Sequence, residues 1–147
     1  MTPMEFESIV LEAFGYLVDT FGFRYVSTDI HAPECWSTFH NSTTAVTVHF
    51  DLGSQPWVEL AELKRVGGQV FEQNRAALEF LVKERAPQEA ALPTKETGDE
   101  WTKTVIREKA RQLRAYGEDV LKGDFRIFPR LKDLAADNLR KRNAAED

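Results

Sequence analysis

The chain has 147 residues, which is one domain's worth, and at 42% hydrophobic and 29% charged it is a foldable globular sequence rather than a disordered one. No stretch approaches the run of about 18 apolar residues that a membrane helix needs, and the acidic, amphipathic start lacks the basic and apolar regions of a signal peptide. The net charge of −5 is uneven: residues 1–62 carry nine acids and one base (Arg24), whereas residues 63–147 carry 15 acids and 18 bases, an asymmetry that points towards a partner of definite charge.

The first segment reads as a helix. Thr2 is a candidate N-cap, Pro3 suits the first helical position, and Glu5 completes a capping box. Phe6, Val10, Ala13, Phe14, Leu17, Val18 and Phe21 then recur at helical spacing, and Gly22 suits the left-handed residue that ends a helix. The chemistry next switches to strands. Phe23 to Thr28 is aromatic and β-branched. Residues 29–33 read as a connector, because Pro33 cannot donate to a ladder. Cys35 to Asn41 and Thr44 to Asp51 read as two strands joined by a tight turn, and Trp57 to Leu63 as a fourth. Loops this short favour an antiparallel meander.

From Gly67-Gly68 onward the pattern is read as helical, with Phe71, Leu78, Leu81 and Val82 predicting a helix over about residues 70–85. Residues 86–98 have two prolines and no periodicity, and read as a linker or mobile loop. Asp99 or Thr97 is the expected cap of a helix whose buried face carries Trp101, Val105, Leu113, Tyr116 and Val120 and which ends at Gly123. Asp124 is the expected cap of a last helix containing Phe125, Phe128, Leu131, Leu134 and Ala135, with a polar tail fraying from Arg140. The expected fold is a single α+β domain over residues 1–147: an N-terminal helix on a four-stranded antiparallel meander, completed by two or three C-terminal helices. Phe14, Leu17, Phe39, Val46, Val48, Phe50, Val58 and Leu60 are its expected core.

Strand register locates the candidate sites. Val46, Val48 and Phe50 must share a face, and Phe39 joins them if His40 lies opposite Ala45 and Trp36 opposite His49. His31, Cys35, His40 and His49 are close in sequence and invite a metal-site reading. In this register, however, His40 and His49 lie about 13 Å apart along the sheet at ~3.3 Å per residue, and Cys35 points to the other face. Zinc ligands sit within about 2.3 Å of the metal, so no metal site is expected, and Cys35 is expected to be a buried hydrophobe. Pairing Phe50 with Val58 and Val48 with Leu60 gives a second face with Trp36, His49 and Glu59 in one row, Thr38, Thr47 and Ala61 in the next, and Asp51 with Trp57 at the rim. A histidine beside a carboxylate is a candidate general acid or base, which makes His49, Glu59 and Asp51 the weak catalytic candidates. Tryptophans on a polar sheet face equally make a binding surface of Trp36, His49, Trp57 and Glu59.

Lys103, Arg107, Arg111 and Arg114 share one helix stripe, but they lack interleaved exposed aromatics and the chain is acidic, so nucleic acid is not an expected partner. Gly67-Gly68 lacks the Lys-Ser/Thr of a phosphate loop. No cofactor is expected.

The stretches FESIVLEAFGYLVDTFGFRYV and LKGDFRIFPRLKDL resemble segments of small bacterial α+β proteins, some of immunity-protein type. The resemblance covers about a third of the chain and carries over no functional residue; it implies a bacterial protein-binding module. Together these readings favour a non-enzymatic module whose acidic, Trp-bearing sheet half meets a basic partner protein. A single cysteine fits a reducing cytoplasm as its setting. The alternatives are a small hydrolase or ligand-binding protein using His49 and Glu59, and a homo-oligomer that buries the Trp face against itself.

Overall fold

The structure is a computed structural model, and it describes residues 1–51, 54–89 and 98–146. Helix α1 (Pro3–Ala13) begins as its sequence dictates. Thr2 is extended, its hydroxyl accepts the Glu5 amide at 3.1 Å, and Pro3 occupies the first turn. The helix does not run unbroken to Gly22. It stops at Phe14 and resumes as α2 (Gly15–Phe21), with Gly15, a weak helix former, at the joint. Phe14 and Leu17, on either side of that joint, are both fully buried. Gly22 closes α2 at φ 70°.

The sheet has five strands in meander order, all antiparallel: β1 (Arg24–His31), β2 (Glu34–His40), β3 (Thr44–Asp51), β4 (Trp57–Val66) and β5 (Gln69–Ala77). Three expectations need correction. Residues 29–31 are strand rather than connector, because Asp29, Ile30 and His31 pair with Trp36, Cys35 and Glu34, leaving only Ala32 and Pro33 (a cis peptide) in the turn. Residues 70–77 are strand rather than helix. Gly67 (φ 58°) and Gly68 (φ 80°) both take positive φ, the backbone of a two-residue hairpin turn matched to strand twist, so the chain doubles back along β4. The strand β5 is a polar edge strand, so neither a period of two nor one of 3.6 shows in its residues. Finally, β4 pairs with β3 two residues away from the expected register: Val58 faces Val48 and Leu60 faces Val46. A slip of two leaves every side chain on its own face, so hydrophobic patterning cannot choose between the two registers.

The helices α3 (Leu78–Arg85), α4 (Asp99–Tyr116), α5 (Glu118–Leu121) and α6 (Phe128–Glu146), with a 3₁₀ turn at Pro87–Glu89, follow the sheet. The expected helix to Gly123 is interrupted at Gly117. Its cap is Gly98 rather than Asp99 or Thr97, and residues 90–97 of the expected linker lie outside the described residues. The last helix starts three residues after Phe125, and Asp124 instead accepts the Arg126 amide. The tail beyond Arg140 continues as helix to Glu146.

Every helix contributes to one hydrophobic cluster on one face of the sheet. Phe6, Leu17, Leu81, Leu113, Leu121 and Leu131 join Phe39, Val46, Val48, Phe50, Val58 and Leu60 there. All eight expected core residues are buried. Two polar ties fix the helical layer to the β2–β3 turn. The Asn41 carboxamide accepts the Thr43 and Thr44 amides (3.0 and 2.7 Å) and donates to the Leu121 carbonyl (2.9 Å), while the Thr44 hydroxyl donates to the Val120 carbonyl (2.9 Å). Arg85 holds α3 to α5 through a two-pronged pair with Asp119, both contacts 2.6 Å. Among the described residues no helix is long and apolar enough to cross a membrane.

Phe39 is fully buried, with its ring 5.6 Å from Tyr25 and 6.4 Å from Phe14. Phe39→Ala is expected to cost about 3–5 kcal/mol in urea unfolding at unchanged m-value; a loss below about 1 kcal/mol would contradict this packing.

Candidate functional site

Burial of odd-numbered β2 residues and even-numbered β3 and β4 residues against the helices turns their neighbours outward. Trp36, Thr38 and His40 of β2, Thr47, His49 and Asp51 of β3, and Trp57 and Glu59 of β4 therefore share the face away from the helices. The central pairing is the expected one, with Trp36 opposite His49 and His40 opposite Ala45. On β4 the two-residue difference changes the rows. Trp57, rather than Glu59, lies opposite His49, and Glu59 lies opposite Thr47. Asp51 has no β4 partner and instead faces Glu34 on β2.

The outcome is a ladder of aromatic rings across four strands. His31 stacks on Trp36 at 4.9 Å with planes 6° apart, and His49 stacks on Trp57 at 4.8 Å with parallel planes. Trp36 and His49 meet at 6.2 Å and 38°. His49 and Trp57 are register partners, and their spacing matches the ~4.8 Å between paired strands, whereas His31 reaches Trp36 diagonally, two residues from the Asp29 that pairs with it. His49 is held between two indoles. Its Nε2 is buried and has no hydrogen-bond partner among the described residues. Burial, with the nearby Arg75 cation adding to it, lowers the His49 pKa below 6.5, so the imidazole is neutral near pH 7.

The ladder borders a concavity of about 400 Å³, lined by Trp36, His49 and Trp57, by Thr38 and Thr47, and by Glu34, Glu59, Glu72 and Arg75. Glu34, Glu72 and Arg75 were not among the residues singled out from sequence. Arg75 reaches this face through a β-bulge, where β5 places Asn74 and Arg75 against Ala61 alone. Asn74 takes the left-handed conformation (φ 49°) that asparagine tolerates. Its side chain donates to Glu62 (2.9 Å) and accepts from Lys132 (3.1 Å). Arg75 then pairs with Glu72 at 3.0 Å and more loosely with Glu59 at 3.6 Å. Burial pushes the Glu59 carboxyl up, Arg75 pulls it back, and Glu72 pushes it up further. No hydrogen bond joins Glu59 to His49 among the described residues.

The other end of the ladder is acidic without compensation. Glu34 lies directly opposite Asp51, and Asp29 directly opposite Trp36. Among the described residues no lysine or arginine nitrogen comes within 4.0 Å of these three carboxylates. Like charges in direct register are destabilising.

The remaining residues singled out from sequence are dispersed. Cys35 is buried on the helix-facing side, with its thiol pKa raised by burial. His40 sits 4.0 Å from Glu72, its pKa lowered chiefly by burial. Among the described residues no group of three or more His, Cys, Asp or Glu could hold a metal ion. The basic stripe of α4 is engaged: Lys103 with Glu100, Arg107 with Glu12, Arg111 with Glu108 and Glu89, and Arg114 over the Tyr16 ring at 5.1 Å. Comparison with family models, curated proteins and solved structures finds no match to this chain.

Because His49 is kept neutral, the unfolded chain binds a proton that the folded chain resists as pH falls below 6.5. Stability should therefore decline from that pH downward. Glu59 contributes with the opposite sign from pH 4.5 upward, so the informative quantity is a difference between variants. Urea unfolding at pH 8, 7, 6 and 5.5 should show His49→Gln losing less stability on acidification than the wild type. Parallel curves would contradict the buried-imidazole account.

Proposed function

We propose that this chain is a non-enzymatic protein-binding module, of the immunity-like kind that its sequence resembles, whose open sheet face receives a basic partner protein. One observation carries the reading: a concave face combines a row of two tryptophans with Glu34, which lies opposite Asp51, and no lysine or arginine nitrogen of the described residues comes within 4.0 Å of either carboxylate. Trp57 remains 37% exposed, and Trp36 is partly exposed beside it. Rigid aromatic anchors next to complementary charge are what interface hot spots are made of. Acidic patches also steer basic partners and raise association rates.

The acid–base reading of His49 and Glu59 has less to stand on. Trp57 takes the position opposite His49 that Glu59 would need, and Glu59 is engaged by Arg75 instead. Neither contact supplies a nucleophile or a paired acid beside the imidazole.

The test begins with an affinity pull-down from native lysate at low and high salt, followed by kinetics with the purified partner. Trp36→Ala and Trp57→Ala should each weaken binding at least about tenfold while circular dichroism and urea midpoints report an intact fold. The association rate should fall about tenfold or more between 0.05 and 0.5 M salt. Wild-type affinity in both folded variants would remove the proposal, and a salt-independent rate would remove its steering component.

A further inference from the structure

We infer that the concavity beside the aromatic ladder is a seat for an arginine side chain of the partner, and that Arg75 is an internal placeholder in it. This rests on the protein-binding reading and specifies its chemistry. The lining pairs flat indole and imidazole rings with Glu34, Glu59 and Glu72. A guanidinium suits both features at once: it is planar, so it stacks on an aromatic face, and its donors lie in its own plane, so they still reach carboxylates at the edge. A lysine ammonium is a strongly hydrated point charge and gains less from a flat ring.

The chain itself supplies an example of the carboxylate half of this fit. Arg75 is delivered to this face by the Asn74 bulge and places its guanidinium between Glu59 (3.6 Å) and Glu72 (3.0 Å), with its side chain 60% exposed. A pair that open is weakly held, so an incoming cation can displace it. On the far side of the ladder, Glu34 and Asp51 repel each other in direct register, with no lysine or arginine of the described residues within 4.0 Å of either. A second arginine of the same basic segment would relieve that repulsion. Charge complementarity thus favours a basic polypeptide over an acidic or apolar one, and ring geometry favours arginine within it.

The experiment compares two capped peptides, Ac-GRGRGRG-NH2 and Ac-GKGKGKG-NH2, by tryptophan fluorescence and calorimetry at low ionic strength. The arginine peptide should bind about fivefold tighter than the lysine peptide or better. Trp36→Ala or Trp57→Ala should lower its affinity about tenfold. Arg75→Ala should tighten it severalfold, because two carboxylates are released. If a tryptophan variant fails to fold, Glu34→Gln and Asp51→Asn carry the same comparison from the acidic end and should each weaken binding. Equal affinity for the two peptides, no binding of either, or an Arg75→Ala variant that binds no tighter would each overturn the inference. The two levels separate cleanly: a protein partner that depends on Trp36 and Trp57 but is not displaced by the arginine peptide leaves the interface standing and removes the arginine seat.

Discussion

Burial of Phe39, Val46, Val48, Phe50, Val58 and Leu60 against the helical layer is the constraint on which the other face depends. Each such side chain contributes about 1.5–3 kcal/mol of burial, so a one-residue slip in any central strand would forfeit most of the core at once. Parity is therefore fixed, and with it the outward direction of Trp36, His49, Trp57 and Glu59. Parity leaves registers two residues apart equally open, and polar contacts accompany the one that is formed. Asn41 shapes the β2–β3 turn and holds it to the end of α5, and the Leu63 amide donates to the Thr43 carbonyl at 2.8 Å. The Leu63–Thr43 bond belongs to the register in which Trp57 rather than Glu59 stands beside His49, which turns an apparent acid–base pair into an aromatic stack.

This division of labour explains what could be read from the residues alone. Alternation in β3 and the need to hide Phe39 were sufficient to orient the sheet and pair Trp36 with His49. The β4 register was not accessible that way, because a two-residue slip exchanges Val58 for Leu60 in the core and leaves the pattern unchanged. The strand β5 was hidden for a different reason. It is an edge strand with a polar centre, Glu72-Gln73-Asn74-Arg75, and only the double positive φ at Gly67-Gly68 announces its return along β4. With β5 unrecognised, Glu72 and Arg75 had no route to the site. Even with β5 in place, a regular strand would not have predicted Arg75's pairing with both Glu59 and Glu72, because the bulge at Asn74 places two β5 residues against one of β4.

The uneven charge of the sequence also finds a physical counterpart. Many cations of the second half are engaged by carboxylates of the helical layer: Arg85 with Asp119, Arg111 with Glu108 and Glu89, Lys122 with Glu118, Arg126 with Asp124, and Arg130 with Glu84. Exposed pairs of this kind contribute at most about 1 kcal/mol each. Their larger consequence is electrostatic, since they leave the helical layer close to neutral. The excess acid of the first half then stands out at the end of the sheet where Asp29, Glu34 and Asp51 gather.

Within the open face, charge and shape act at different ranges. The Glu34–Asp51 pair has no paired cation among the described residues and projects its field beyond the surface, over a distance set by the ionic strength. In the binding role proposed above, that field would govern encounter. The concavity would govern what stays bound, because flat rings and directed carboxylates discriminate only at contact distance. Arg75 would link the two roles. By occupying Glu59 and Glu72 it limits repulsion in the free protein, and by doing so loosely it leaves the site open to a cation that can also stack on the ladder. A lysine, even one of equal charge, could replace Arg75 at the carboxylates but would gain little from the rings. On the proposed reading, the same face would attract basic surfaces broadly while retaining those that present a guanidinium.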